Sequence, residues 1–273
     1  MKRILILAAL VAAAACGQKT VAPKVLVLYY SQTGTTKAVA EAIQAQLGAD
    51  IEEIVPVVSY GEDYGATIAR GGQELREGIL PEIQPIQADI ASYDIIFLGY
   101  PIWFGTYATP VSTVLDQVDF AGKKVVPFCT FGSGGLAESV AAIREKLPDA
   151  EVLPGYGVRA ARIDAVPAEV ERFLLEGGFI PGEFTPVEPF PELQPVTEEE
   201  SGIFDAAVGS YPMIHAQAEQ AASRAVPGGT EYLFVAKDQP REGAPDFGGE
   251  PRPMKVYVLV EDGKNPVFTQ VVR

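Results

Sequence analysis

Three short segments carry residue types and spacings suited to holding a small ligand with a charged end and a flat ring. The first, Ser31-Gln32-Thr33-Gly34-Thr35-Thr36, packs four hydroxyls and a glycine into six residues just ahead of a stretch with helical spacing. The first N–H groups of a helix have no intrahelical acceptor and sit at the positive end of its dipole. A loop there suits an anion, a phosphate above all. It lacks the G-x-x-x-x-G-K-[ST] spacing of a mononucleotide loop, and its first cation is Lys37. Taken alone, it also reads as a Ser/Thr-rich capped turn. The second segment, Gly99-Tyr100-Pro101-Ile102-Trp103-Phe104-Gly105, holds the chain's single Trp. Large aromatics in a loop are costly unless something planar covers them or they fold back on the core. The third, Thr130-Phe131-Gly132-Ser133-Gly134-Gly135, has glycines that let backbone amides approach a flat ring. Gly132 to Ala137 also fits G-x-G-x-x-A. That dinucleotide fingerprint belongs to the first strand–helix turn, a place the hydroxyl-rich loop already occupies.

Other chemistry is poorly supplied. The chain has two cysteines, Cys16 and Cys129, and one histidine, His215, too few for a zinc or iron–sulfur site. Cys129 follows Val125-Val126-Pro127-Phe128 and reads as a buried, inert thiol. The reactive group is therefore sought in a cofactor. A formal charge of −15 excludes nucleic acid as a partner, since such binding rests on Lys and Arg displacing counterions. It permits a cationic protein partner.

The elements that must position these segments alternate between Lys24 and Ile180. Apolar runs at 24–30, 94–100 and 123–129 read as strands covered on both faces. A second strand at 50–58 contains Pro56, which lacks the ladder donor, so it belongs at an edge. The fifth strand is placed near Glu151–Leu153. Helical stripes follow each strand: Val39, Ile43 and Leu47; a weaker helix around 66–77 that tolerates Gly71 and Gly72; one opened by Thr109 as N-cap with Pro110; Leu136 to Leu147; and 167–176. Five strands alternating with five helices predict a doubly wound α/β sheet.

Five prolines in residues 181–195 predict an extended linker. Residues 196–273 change rhythm, with a helix at 198–208 and four extended runs near 213–226, 230–237, 255–260 and 267–273. A loop at 238–253 holds four prolines and three glycines. This predicts a small α+β antiparallel module. At the other end, residues 1–15 join two cations to a short apolar run and small residues, too short to span a bilayer. The segment resembles a bacterial lipoprotein signal, with Cys16 as the lipidated first residue of the mature chain and 16–23 as a tether. That resemblance implies an extracytoplasmic, envelope location, with membrane contact through the N-terminal lipid only.

The three loops on one sheet edge resemble those of flavodoxins, with residues 24–180 as the flavodoxin-like domain. Ser31 to Thr36 is similar to the family's S-x-T-G-[NT]-T phosphate loop, and GYPIWFG and TFGSGG to the two loops that hold its ring. The resemblance implies a strand order of 2-1-3-4-5 and non-covalent FMN. Ser31, Thr33, Thr35 and Thr36 would hold the phosphate with amides from Gln32 to Thr36. Trp103 would stack on the ring with Pro101 and Ile102 beside it, Phe104-Gly105 near its N5 and Thr130 to Gly135 at the pyrimidine edge. Electron transfer to a redox partner protein is the implied function. An NAD(P)H-dependent FMN oxidoreductase of the quinone-reductase type, with Phe104 and Phe131 walling the substrate, is one alternative; a binding module with a vestigial flavin site is the other. The C-terminal module resembles the cystatin-like fold; Arg224 stands where the inhibitors of that fold carry Gln, so a docking or structural role is expected.

Overall fold

The computed structural model describes residues 22–209, 211–212, 214–239 and 253–273. The leader, Cys16 and most of the Pro/Gly-rich loop at 238–253 lie outside the described residues.

Three apolar runs become the centre of a parallel sheet: β1 (Val25–Tyr29), β3 (Ile95–Trp103) and β5 (Lys124–Phe131). The short β2 (Asp50–Glu53) forms one edge beside β1. A two-residue β4 (Thr106–Tyr107) folds back antiparallel on the end of β3. The other edge is a strand in two pieces, β6 (Glu151–Val152) and β7 (Tyr156–Arg159), both parallel to β5. Taken as one strand, it completes the order β2-β1-β3-β5-β6/β7, which is 2-1-3-4-5 when the five parallel strands alone are numbered. The fifth strand thus runs beyond the expected 151–153. Pro154, which has no N–H to give a ladder, lies in the break. The second strand is shorter than expected, and Pro56 forms only an isolated antiparallel bridge with Ile83.

Alternate residues of the central strands face opposite layers. Leu26, Leu28, Ile96, Leu98 and Tyr100 pack with Val111, Val114 and Leu115 of α3 (Thr109–Gln117) and Ile143 of α4 (Leu136–Lys146). Val27, Phe97, Val126 and Phe128 pack with Val39, Ala40 and Ile43 of α1 (Thr35–Leu47) and Val170 and Leu174 of α5 (Val166–Glu176). Burying one such side chain fully is worth about 1.5–3 kcal/mol. The remaining helix, α2 (Tyr64–Glu77), differs: its buried residues are Thr67, Gly71, Gly72 and Glu74, small or polar rather than aliphatic. Thr109 is not the N-cap of α3; Ala108 holds that position, and the Thr109 hydroxyl is used elsewhere.

The last two residues of the expected linker instead form β8 (Gln194–Pro195), which pairs antiparallel with β9 (Ala216–Val226); with β10 (Gly229–Asp238), β11 (Pro253–Glu261) and β12 (Val267–Val272) it makes a second, antiparallel sheet in the order 12-11-10-9-8, and α6 (Glu198–Val208) packs on it. Thr197 and Glu200 close a reciprocal capping box at the start of α6. Phe204 and Val208 bury that helix against Phe234, Val256 and Phe268. Among the described residues, no helix is long and apolar enough to cross a membrane.

Candidate functional site

The hydroxyl-rich segment joins the carboxyl end of β1 to α1. Gly34 is the N-cap in the left-handed region (φ 85°) and brings no side chain to cap the helix. Only Lys37 N among the first-turn amides finds a side chain, Ser31 Oγ at 3.2 Å. The hydroxyls of Thr33 and Thr35 lie 3.2 Å apart. Ser31, Thr33 and Thr35 are open to solvent in part or fully, whereas Thr36 is buried, its Oγ1 2.8 Å from Thr130 Oγ1. Lys37 pairs outward with Glu41, so the concavity contains neutral donors only. Gln32 is fixed from both sides: Tyr30 donates to its Oε1 at 2.5 Å, and its Nε2 donates to the Gly61 carbonyl at 2.6 Å.

The aromatic segment is the β3–β4 hairpin. Trp103 pairs with Thr106 across a two-residue turn at Phe104 (φ 52°) and Gly105 (φ 83°). Two successive positive φ angles define a type I′ turn. Phe104 is the only described non-glycine residue with positive φ, an unfavourable state for a bulky side chain. Helix α2 holds it there: a Cβ on Gly71 would lie 3.1 Å from Trp103, and one on Gly72 would lie 3.2 Å from the Phe104 ring. The two glycines that weaken α2 thus form the seat of the hairpin. Trp103 also meets the edges of Tyr30 and Tyr60, with ring centroids at 5.7 and 5.0 Å. It leans on the core and stays only partly exposed; Phe104 is the open aromatic of the pair.

Beneath this hairpin lies a polar network that the sequence reading missed. The buried Glu74 carboxylate accepts from Tyr60 Oη, from Thr109 Oγ1 at 2.6 Å and from Arg70 Nε at 2.7 Å. The Arg70 guanidinium lies 3.9 Å over the Tyr60 ring. Burial, and then the bond to Glu74, push the Tyr60 phenol above its ordinary range. The one available signal was Gly71-Gly72 inside an amphipathic helix, which marks close approach by another element.

The third segment is shorter than expected as a loop, because β5 continues through Phe131. Thr130 and Phe131 are buried, with Phe131 in the core, so of the two aromatics expected to wall a substrate only Phe104 is exposed. Gly132 to Gly135 form the loop proper. A Cβ on Gly135 would lie 2.8 Å from Ile102, next to Pro101 on the second segment. The Thr36–Thr130, Tyr30–Trp103 and Gly135–Ile102 contacts bring all three segments together at the carboxyl ends of β1, β3 and β5. A cavity of about 660 Å³ lies elsewhere, lined by Ile83, Ile86, Asp89, Ile90, Val118 and Lys123 near the amino ends of β3 and β5. Open parallel sheets bind ligands beyond the carboxyl ends of their strands, so the three loops are the candidate site.

An uncapped first helix beside an aromatic hairpin on a 2-1-3-4-5 sheet defines a flavodoxin-type protein. Residues 24–170 match the family model described as Flavodoxin, and the chain belongs to that family. It is similar to the flavodoxin-like domain-containing protein BilS of Clostridioides difficile, 28% identical over 158 residues, which are 55% of this chain and 74% of that protein. Against Flavodoxin 1 of Escherichia coli the identity is 28% over 106 residues, 37% of this chain and 46% of that one. Among solved structures, a flavoprotein from Lactobacillus acidophilus in complex with FMN is 30% identical, with a TM-score of 0.45, covering 52% of this chain and 97% of that one.

Proposed function

We propose that the chain binds FMN without a covalent bond and passes electrons between partner proteins. The observation that carries this reading is the uncapped N-terminus of α1 among the accessible Ser31, Thr33 and Thr35 hydroxyls, in contact through Tyr30 with the Trp103 hairpin. These hydroxyls and the amides of Gln32 to Thr36 would hold the phosphate; the buried Thr36 can donate to it only when Thr130 supplies the proton of their shared bond. Pro101, Ile102, Trp103, Phe104 and Gly105 would flank the ring, and Gly132 to Gly135 its pyrimidine edge. When bound, the flavin supplies reversible acceptance of one or two electrons. Purified full chain should show a flavin spectrum, with the colour released on denaturation, and Thr33→Val with Thr35→Val should weaken FMN binding. A chain that stays colourless with added FMN refutes the reading. Sustained NAD(P)H oxidation by the loaded chain would replace the carrier role with a reductase.

The same proposal includes location. Cys16 carries lipid and tethers the module outside the cytoplasm, where the net charge of −15 for the whole sequence, or −17 once Lys2 and Arg3 leave with the leader, suits a cationic redox partner. Fatty-acid labelling that persists in Cys16→Ala would refute the anchor.

A further inference from the structure

The two sheets meet at the third loop. At the outer edge of β12, the Val271 amide donates to the Ser133 carbonyl at 2.6 Å. Arg159, the last residue of β7, bridges the same junction. Its Nε donates to the Gly132 carbonyl and its Nη1 to the Phe268 carbonyl of β12, both at 2.9 Å. The guanidinium lies 3.4 Å from the centre of the Phe268 ring and 5.2 Å from that of Tyr211, and Arg159 is only 9% exposed. The fit leaves no room for side chains: a Cβ on Gly134 would lie 2.0 Å from the Val271 carbonyl oxygen, and one on Gly132 would lie 2.7 Å from Tyr211 Oη.

This junction sets the polarity of the loop. In a planar trans peptide, a carbonyl and the N–H that follows it point in opposite directions. The Gly132 and Ser133 carbonyls face Arg159 and β12, so the N–H groups of Ser133 and Gly134 face away from them. Successive N–H groups directed alike form a concavity that favours an acceptor with negative charge. The two carbonyls are already occupied, and the loop offers a ligand its donors.

We propose that the C-terminal sheet is part of the cofactor site: β12 and Arg159 fix the Gly132–Gly134 backbone so that it presents the Ser133 and Gly134 amides to the acceptor edge of the ring. Arg159 is a positioning residue and touches no ligand itself. The inference rests on the flavin reading and adds to it a reason for the second sheet. Two fixed donors at that edge favour the reduced ring, where negative charge gathers, over the oxidised one.

The test uses the full chain with Arg159→Lys, which keeps charge and stem but loses the forked geometry, and Gly134→Ala, which strikes the junction from the other side. Three readouts are taken: amide exchange over 128–136 and 265–273 in the FMN-free protein, FMN affinity, and the two-electron midpoint potential. The wild-type Val271 amide should be protected, and both variants should lose at least ten-fold of that protection with circular dichroism unchanged. FMN should bind at least ten-fold more weakly. The reduced form should lose a further ten-fold, which lowers the midpoint by about 30 mV. Rapid exchange at Val271 in the wild type overturns the proposal, as do variants that lose protection yet keep affinity and potential. A wild type that takes up no FMN overturns the flavin reading and this inference together; one that takes up FMN and ignores both substitutions overturns this inference alone.

Discussion

Replacing Gly72 with Ala should stabilise the fold, and the same change at Gly71 should not. Both residues are buried inside α2, where Ala is favoured over Gly by about 1 kcal/mol. At position 72 the added methyl would meet Phe104 Cζ and Arg76 Nη1, each at 3.2 Å. Phe104 is 49% exposed and Arg76 ends in a flexible guanidinium, so both can yield. A gain of about 0.5–1 kcal/mol survives. At position 71 the methyl would meet Trp103 Cε3 at 3.1 Å and Cζ3 at 3.2 Å. That indole is held by two tyrosine edges and by the pairing of Trp103 with Thr106. Overpacking of this kind costs about 1–3 kcal/mol, so Gly71→Ala lands between neutral and roughly 2 kcal/mol destabilising. Urea denaturation with unchanged m-values reads both. Fluorescence of the single Trp should shift in Gly71→Ala only. Equal stabilisation by the two substitutions would refute the claim that Trp103 is fixed between α2 and the tyrosines.

Glu74→Gln should cost about 2–3 kcal/mol, because a charge-assisted network with Arg70, Tyr60 and Thr109 loses its anion while Arg70 keeps partial access to water; an unchanged denaturation midpoint counts against it. Burial pushes the Tyr100 and Tyr156 phenols well above their ordinary range. Folded values above the ordinary 10 mean stability is complete below pH 10 and is lost as pH rises beyond it, at about 1.4 kcal/mol per pH unit for each phenol. Phenolate absorbance from these residues should therefore rise together with unfolding, and a gradual rise in the native state would contradict it. Cys129 is fully buried, and its thiol is pushed up by desolvation alone. Iodoacetamide should modify it only after denaturation, as mass spectrometry of the 124–131 peptide will show.

The central sheet was legible because its strands are covered on both faces and read as unbroken apolar runs at 24–30, 94–100 and 123–129. The first helix announced itself by the spacing of Val39, Ile43 and Leu47, which put the hydroxyl-rich loop at its N-terminus. What failed depends on partners distant in sequence. Glu74 reads as an ordinary helix carboxylate until Tyr60 and Thr109 arrive from other elements. Thr109 looks like a cap because local pattern cannot report that its hydroxyl is needed 35 residues away. Gly71 and Gly72 count as propensity losses in isolation and as packing gains once the hairpin sits on them. Arg159, in a run of small residues, gives no local hint that it joins two sheets.

Charge decides the last expectation. Three cations near the candidate site have protein partners: Lys37 lies 3.9 Å from Glu41, Arg70 binds Glu74 and two carbonyls, and Arg159 binds the carbonyls of Gly132 and Phe268, while Arg76 lies by Phe104 rather than by the first loop. A phosphate at the head of α1 would then be held by hydroxyls and amides, while the chain as a whole carries −15 and would repel it. One added negative charge about 10 Å from another costs about 1.7 kcal/mol at an effective dielectric of about 20. That is about 70 mV for a single electron, so the second electron should enter at low potential. Salt separates this arrangement from a Lys/Arg cradle. Ions screen the long-range repulsion and leave short neutral hydrogen bonds alone, so FMN affinity should hold or rise between low salt and physiological ionic strength. A steep fall in affinity over that range would mean that a cation reaches the phosphate after all, and the neutral-donor account of the first loop would be wrong.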